Sequence, residues 1–184
     1  GNGKLDIAAG HSLIASEVKD KKPSLITDCN ICVKQAKSHN YRLKVWAIPA
    51  PELRMVTFAD SAFDPQGKRH QQGWMVCTTN KYLNLSQKAP ISIAMWNSRK
   101  LPRKSGSPTL CETYAASYAC ADMNWCRCIL LSLVYGDFDI RTSWPLCRQP
   151  PPKQATVLRT DRPEVIDPFG SLVSDSKGVY DALN

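Results

Sequence analysis

Between Ser24 and Ser38 the apolar residues Leu25, Ile26, Cys29, Cys32, Val33 and Ala36 recur at three- and four-residue intervals behind Pro23, a spacing that predicts a helix over 24–38. The period then changes. Tyr41–Trp46 alternates and reads as a strand, Pro49-Ala-Pro51 interrupts the chain, and the run Met55-Val-Thr-Phe-Ala59 reads as a strand that delivers Asp60. Gly73–Thr79 and Ile91–Trp96 supply two further strand-like runs joined by polar loops, so three consecutive strands are expected to form an antiparallel meander. From Thr109 to about Leu133 the pattern is helical again; Ser107-Pro-Thr marks the start, Glu112 falls in the opening turns, and Gly136 closes it. Residues 141–170, with Pro145, Pro150, Pro151, Pro152, Pro163 and Pro168, read as a long loop or extended crossover. Ser171–Ser174 then gives a short strand ending at Asp175, with Ser176 placed to cap a last helix. Residues 1–22 are weakly patterned and read as an extended arm.

A strand reached through a crossover that contains a long helix can lie parallel to the first strand of the meander, which puts Asp60 and Asp175 at neighbouring strand ends. Carboxylates at such semi-apolar positions need partners, and a cluster of them repels itself unless a cation intervenes. Glu112 alone would read as an ordinary charge favourable to the helix dipole. Beside two aspartates it suggests a third ligand to a hard divalent cation, most naturally Mg²⁺.

Composition narrows the setting. With 184 residues and 43% hydrophobic positions the chain can build the core of one domain with an appendage. No apolar run approaches the ~20 residues of a membrane span and no secretory leader is evident, so an intracellular location, cytoplasmic, nuclear or organellar, is expected. The Gly at position 1 and the last helix, broken off after two turns, read as marks of a piece of a longer polypeptide.

Charge is uneven: residues 1–105 carry 17 Lys and Arg against 7 Asp and Glu, whereas 106–184 carry 7 against 9. A basic half points to a polyanionic partner such as nucleic acid, and its densest cluster, Arg99, Lys100, Arg103 and Lys104, precedes the segment with Glu112. The alternative is a solvated basic loop. Cys29-Asn-Ile-Cys32 sits in a helical pattern and Cys126-Arg-Cys128 has no histidine nearby, so reduced thiols are favoured over zinc, with Cys77, Cys111 and Cys120 as small core residues. Trp96 and Trp125 are expected in the core, and His11, His39 and His70 at the surface.

Five segments, taken in order, resemble the ribonuclease H domain of copia-type retrotransposon polyproteins: Val56-Thr-Phe-Ala-Asp60-Ser-Ala-Phe63, Gln72-Gly-Trp74, Ile93-Ala-Met-Trp96-Asn-Ser-Arg-Lys100, Ser107-Pro-Thr-Leu-Cys-Glu112-Thr-Tyr-Ala115 and Leu172-Val-Ser-Asp175-Ser-Lys-Gly-Val-Tyr-Asp-Ala-Leu183. Residues 1–50 look like the end of the connection from reverse transcriptase. The resemblance implies an α/β, ribonuclease H-like domain over 51–184, truncated at its C-terminus, with a mixed five-stranded sheet flanked by helices. It also implies cleavage of the RNA strand of an RNA–DNA hybrid. Asp60 would bridge two Mg²⁺ ions, Glu112 and Asp175 would each complete one side, and the four basic residues would contact hybrid backbone.

Departures from the family are specific. Its active members carry a fourth acidic residue on a later helix, beyond the position of Asn184, and neither Asp64 nor Asp181 matches it. The Pro-rich crossover is longer than the family's. A catalytically silent fold, attached to a larger protein or ribonucleoprotein assembly through residues 1–22 and 141–170, is the alternative reading.

Overall fold

A computed structural model of the chain describes residues 7–39, 42–64, 70–85, 88–101, 105–134 and 170–175. Three long strands, β1 (Leu53–Ala62), β2 (Gln71–Asn80) and β3 (Ser92–Lys100), form the expected antiparallel meander. After the helix α3 (Pro108–Val134), the short β4 (Gly170–Val173) pairs parallel to β1, so the sheet is mixed, with spatial order β3-β2-β1-β4. The described residues contain four strands rather than five. Residues 135–169 and 176–184, which carry most of the Pro-rich crossover and the expected last helix, lie outside them.

The start of α3 follows from local chemistry. Ser107 accepts the Leu110 N–H on its hydroxyl at 3.2 Å, as an N-cap residue does for the third helical amide, and Pro108 occupies the first helical position, where no amide is needed. Along one side of α3, Ala115, Ala119 and Met123 follow at four-residue spacing and pack on Met55 and Ala59 of β1 and Trp74 and Val76 of β2. The two alanines let the helix lie close to the sheet. Fully burying a Val or Met contributes about 1.5–3 kcal/mol, so this cluster dominates the stability of the sheet-helix unit. Cys77, Cys111 and Cys128 are fully buried, and burial pushes the Cys77 thiol up to about 11, as suits a small packing residue.

On the opposite face lies a helix that the sequence pattern did not predict. Residues read as an extended arm form α1 (Ala8–Glu17), followed by a 3-10 turn at Val18–Asp20. Gln71 donates its amide to Ser12 of α1 at 2.8 Å and to Ser98 of β3 at 3.1 Å, which ties this helix to the sheet by polar contacts rather than by an apolar stripe. The predicted helix over 24–38 is present as α2 (Ser24–Ser38); it rests on α1 and buries only Leu25.

Two further expectations are corrected. The alternation at 41–46 does not produce a strand over the described residues 42–46: Leu43 and Val45 remain exposed, and Trp46 donates its backbone N–H to the Ser92 hydroxyl at 2.9 Å instead of joining a ladder. Alternation alone makes no strand; the backbone must also enter a ladder, and here Trp46 meets the edge strand β3 only through a side chain. Trp125, expected in the core, is 49% exposed, because the strip of α3 that meets the sheet runs through Ala115, Ala119 and Met123.

β4 is short and tightly seated: a Cβ at Gly170 would run into the thioether of buried Met123. Gly170→Ala is therefore expected to cost about 1–3 kcal/mol by overpacking. Urea denaturation checks this, and the cost should shrink in a Met123→Ala background, where the methyl group has room.

Candidate metal centre

Asp60 lies two residues before the end of β1, and Asp175 lies two residues beyond the end of β4. The parallel register pairs Phe58 with Val173, so continuing both chains by two residues brings the two aspartates side by side, about 4.7–4.9 Å apart across the ladder. Glu112, the fifth residue of α3, reaches the same point from the helix. One ligand oxygen from each of the three side chains lies within 4.8 Å of the others. Oppositely placed oxygen ligands around one hard cation span about 4–5 Å, so a single ion is within reach of all three.

The acids differ in surroundings. Asp60 and Asp175 are exposed, while Glu112 is half-buried. Ser61 fixes Glu112 by donating both its hydroxyl, at 2.7 Å, and its backbone N–H, at 3.2 Å, to Oε1. Oε2 is buried and has no hydrogen-bond partner among the described residues. Burial raises the Glu112 pKa above its ordinary value; the Ser61 hydrogen bonds lower it, and the charges of Asp60 and Asp175 push it up again. A carboxylate half removed from water, with one oxygen unpartnered and two acids beside it, fits a cation. The all-oxygen donor set suits hard divalent ions as a class.

Of the basic residues expected to meet a substrate, Lys100 is exposed at the end of β3. Arg99 turns instead toward α3, its guanidinium 4.1 Å from the ring centre of Tyr118 and 5.0 Å from that of Trp74, two rings that stack on each other. Arg103 and Lys104 lie outside the described residues.

Three polar residues near the acids carried no clear signal in the sequence. Ser61 follows Asp60 directly, and a hydroxyl beside a strand-end acid was the one available hint. His70, expected at the surface, is buried; it stacks on Phe63 and its Nδ1 accepts the Asp64 N–H at 3.1 Å. Gln72 is wholly buried on the α3 side of β2. Trp74, on the same side, donates its indole N–H to Asp122 at 2.6 Å.

No protein-family model, curated protein or solved structure matches this chain. No helix among the described residues is long and apolar enough to cross a membrane.

The raised Glu112 pKa has a definite sign in stability. The folded chain holds this proton to higher pH than the unfolded chain does, so the contribution of Glu112 to stability falls as pH rises from the ordinary value of 4.5 through the raised one. In the presence of a chelator, Glu112→Gln keeps an acceptor for Ser61 and removes the charge. Its stability relative to the parent should therefore increase as pH is raised from about 4 to 7. Urea unfolding across that range measures the difference; a flat or falling difference would contradict the assigned cause.

Proposed function

We propose that this chain is a ribonuclease H-type, metal-dependent phosphodiester hydrolase acting on the RNA strand of an RNA–DNA hybrid, with Mg²⁺ as the natural cation. The convergence of Asp60, Glu112 and Asp175 at one end of a mixed sheet carries the reading. The strand order β3-β2-β1-β4, with the acids on β1, after β4 and on the intervening helix, supports the five-segment resemblance as a source for it.

In this reading each side chain has a separate task. Asp60, on the long strand β1, would hold the cation together with Asp175 and Glu112, which flank it from the edge strand and the helix. Ser61 holds Glu112 in a fixed rotamer, so the carboxylate is oriented before any substrate arrives. Lys100 supplies positive charge for the nucleic-acid backbone on the exposed end of β3. Bound divalent cations would supply Lewis acidity at the scissile phosphate and a lowered pKa for the attacking water.

A second reading, a silent fold that serves as a subunit of a larger assembly, is favoured by α2. Ile26 is 70% exposed, and Ile31 and Val33 are each about half exposed, on a helix whose sole buried residue is Leu25. Mg²⁺-dependent cleavage of an RNA–DNA hybrid separates the two. The parent chain is expected to cut the RNA strand in Mg²⁺ and to fall to background in chelator, and Asp60→Asn is expected to abolish cutting while leaving the fold intact by circular dichroism. Failure of the parent to cleave, including in a version extended beyond Asn184, would favour the subunit reading.

A further inference from the structure

Behind the acids, a row of polar side chains crosses the sheet on the side covered by α3. Ser61 of β1, Gln72 of β2 and Arg99 of β3 are direct cross-strand neighbours, so their Cβ atoms succeed one another at about 4.5–5.5 Å. Their relation to α3 is fixed at both ends of the row, by the Ser61 hydrogen bonds to Glu112 and by the stacking of Arg99 on Tyr118. In the middle, Gln72 is 0% exposed. Neither its amide nitrogen nor its amide oxygen has a hydrogen-bond partner among the described residues. The same is true of three more buried atoms at this end of the sheet: Arg99 Nε, Glu112 Oε2 and His70 Nε2. His70 precedes Gln72 by two positions, and because its Nδ1 is an acceptor, the ring proton of the neutral form sits on Nε2.

Five unsatisfied polar atoms in one patch are too many for a native interior, where buried polar groups find partners in protein or in ordered water. The chemistry of the five selects the partner. Gln72 Nε2, Arg99 Nε and His70 Nε2 offer protons; Gln72 Oε1 and Glu112 Oε2 offer lone pairs. An anion would be repelled by Glu112 and a cation by Arg99. Water alone donates and accepts with equal ease.

We propose that a small cluster of ordered water is built into the sheet here, that Gln72 is its hub, and that through it Gln72 positions Glu112 for cation binding. The second half rests on the reading of the three acids as a cation site. A carboxylate oxygen has two lone pairs, so Oε2 has capacity for both a water and an ion. Gln72 is thus a positioning residue: it acts through Glu112 and does not itself meet the cation.

Gln72→Met keeps the length of the side chain and removes its polar atoms; Val76→Ala, further along the same strand and fully buried, is the control for a purely structural role. Mn²⁺ affinity is read by calorimetry on the whole chain, and thermal unfolding is followed in chelator. Gln72→Met is expected to weaken Mn²⁺ binding by about tenfold or more, the size seen when outer partners of a metal ligand are removed, and to lower the melting temperature. Val76→Ala should lower the melting temperature and leave the affinity within about twofold of the parent. A Gln72→Met chain that melts higher than the parent overturns the water cluster, since relief of a dry, unpaired amide is stabilising. Unchanged Mn²⁺ affinity overturns the positioning role alone. A parent that takes up no Mn²⁺ overturns the cation reading and the positioning role together, while the sign of the melting shift still decides the water. If Gln72→Met does not fold, a crystal structure of the parent decides: solvent within hydrogen-bond distance of the Gln72 amide is expected, and a dry pocket overturns the proposal.

Discussion

The parallel pairing of β4 with β1 is the constraint on which the site depends. β4 has only four residues, and it follows a 27-residue helix in the order of elements yet lies beside β1, at the edge of the sheet opposite β3. Its register against β1 sets Asp175 next to Asp60, and a slip of one residue would turn the β4 side chains to the other face and separate the pair. Gly170 packed under Met123 resists that slip, because the close fit of strand to helix exists in one register. Apolar packing about 16 Å along the strand thus bears on the geometry of a charged cluster.

That geometry costs the fold free energy. Glu112 is half-buried, its carboxyl is pushed toward the protonated form, and both aspartates add to the effect. Such an arrangement lowers stability at neutral pH unless positive charge enters, and sites that bind or react are where folds carry such costs. Ser61 is the local compensation. Its two hydrogen bonds favour the ionised form and fix one oxygen, leaving the second for another partner. Burial and the two neighbouring acids thus oppose the Ser61 hydrogen bonds at Glu112, in a cluster that could hold a metal ion.

The sequence was informative where one physical signal dominated. The helical spacing from Leu25 to Ala36, the Ser107-Pro108 start of α3 and the strand run up to Asp60 each have a single local cause, and each element lies where that cause puts it. The three acids were legible because apolar strand-like runs lead up to Asp60 and Asp175 and Ser107-Pro108 sets Glu112 in the first turns of a helix. Failures arose where burial depends on distant partners. α1 lacks an apolar stripe and is docked through Ser12 and Gln71, and the alternating Leu43 and Val45 stay exposed outside the sheet. His70 and Gln72 look like surface residues in a polar loop and at the start of a strand, yet both are buried, His70 against Phe63. Trp125 shows the converse: a large aromatic on a buried helix, on the side the sheet does not meet. Arg99 was recognised as important for its charge, whereas its place over Tyr118 and Trp74 depends on which side of β3 faces the helix.

What unites these observations is the claim that the three carboxylates form one cation site. Crystals of the chain grown with Mn²⁺, and measured for anomalous scattering, test it without reference to any activity. Anomalous density is predicted between Asp60, Glu112 and Asp175, with at least one oxygen of each at about 2.0–2.6 Å from the ion, the range for hard divalent cations. Carboxylates that are well ordered but carry no anomalous density at saturating Mn²⁺, or that point away from one another, would contradict it.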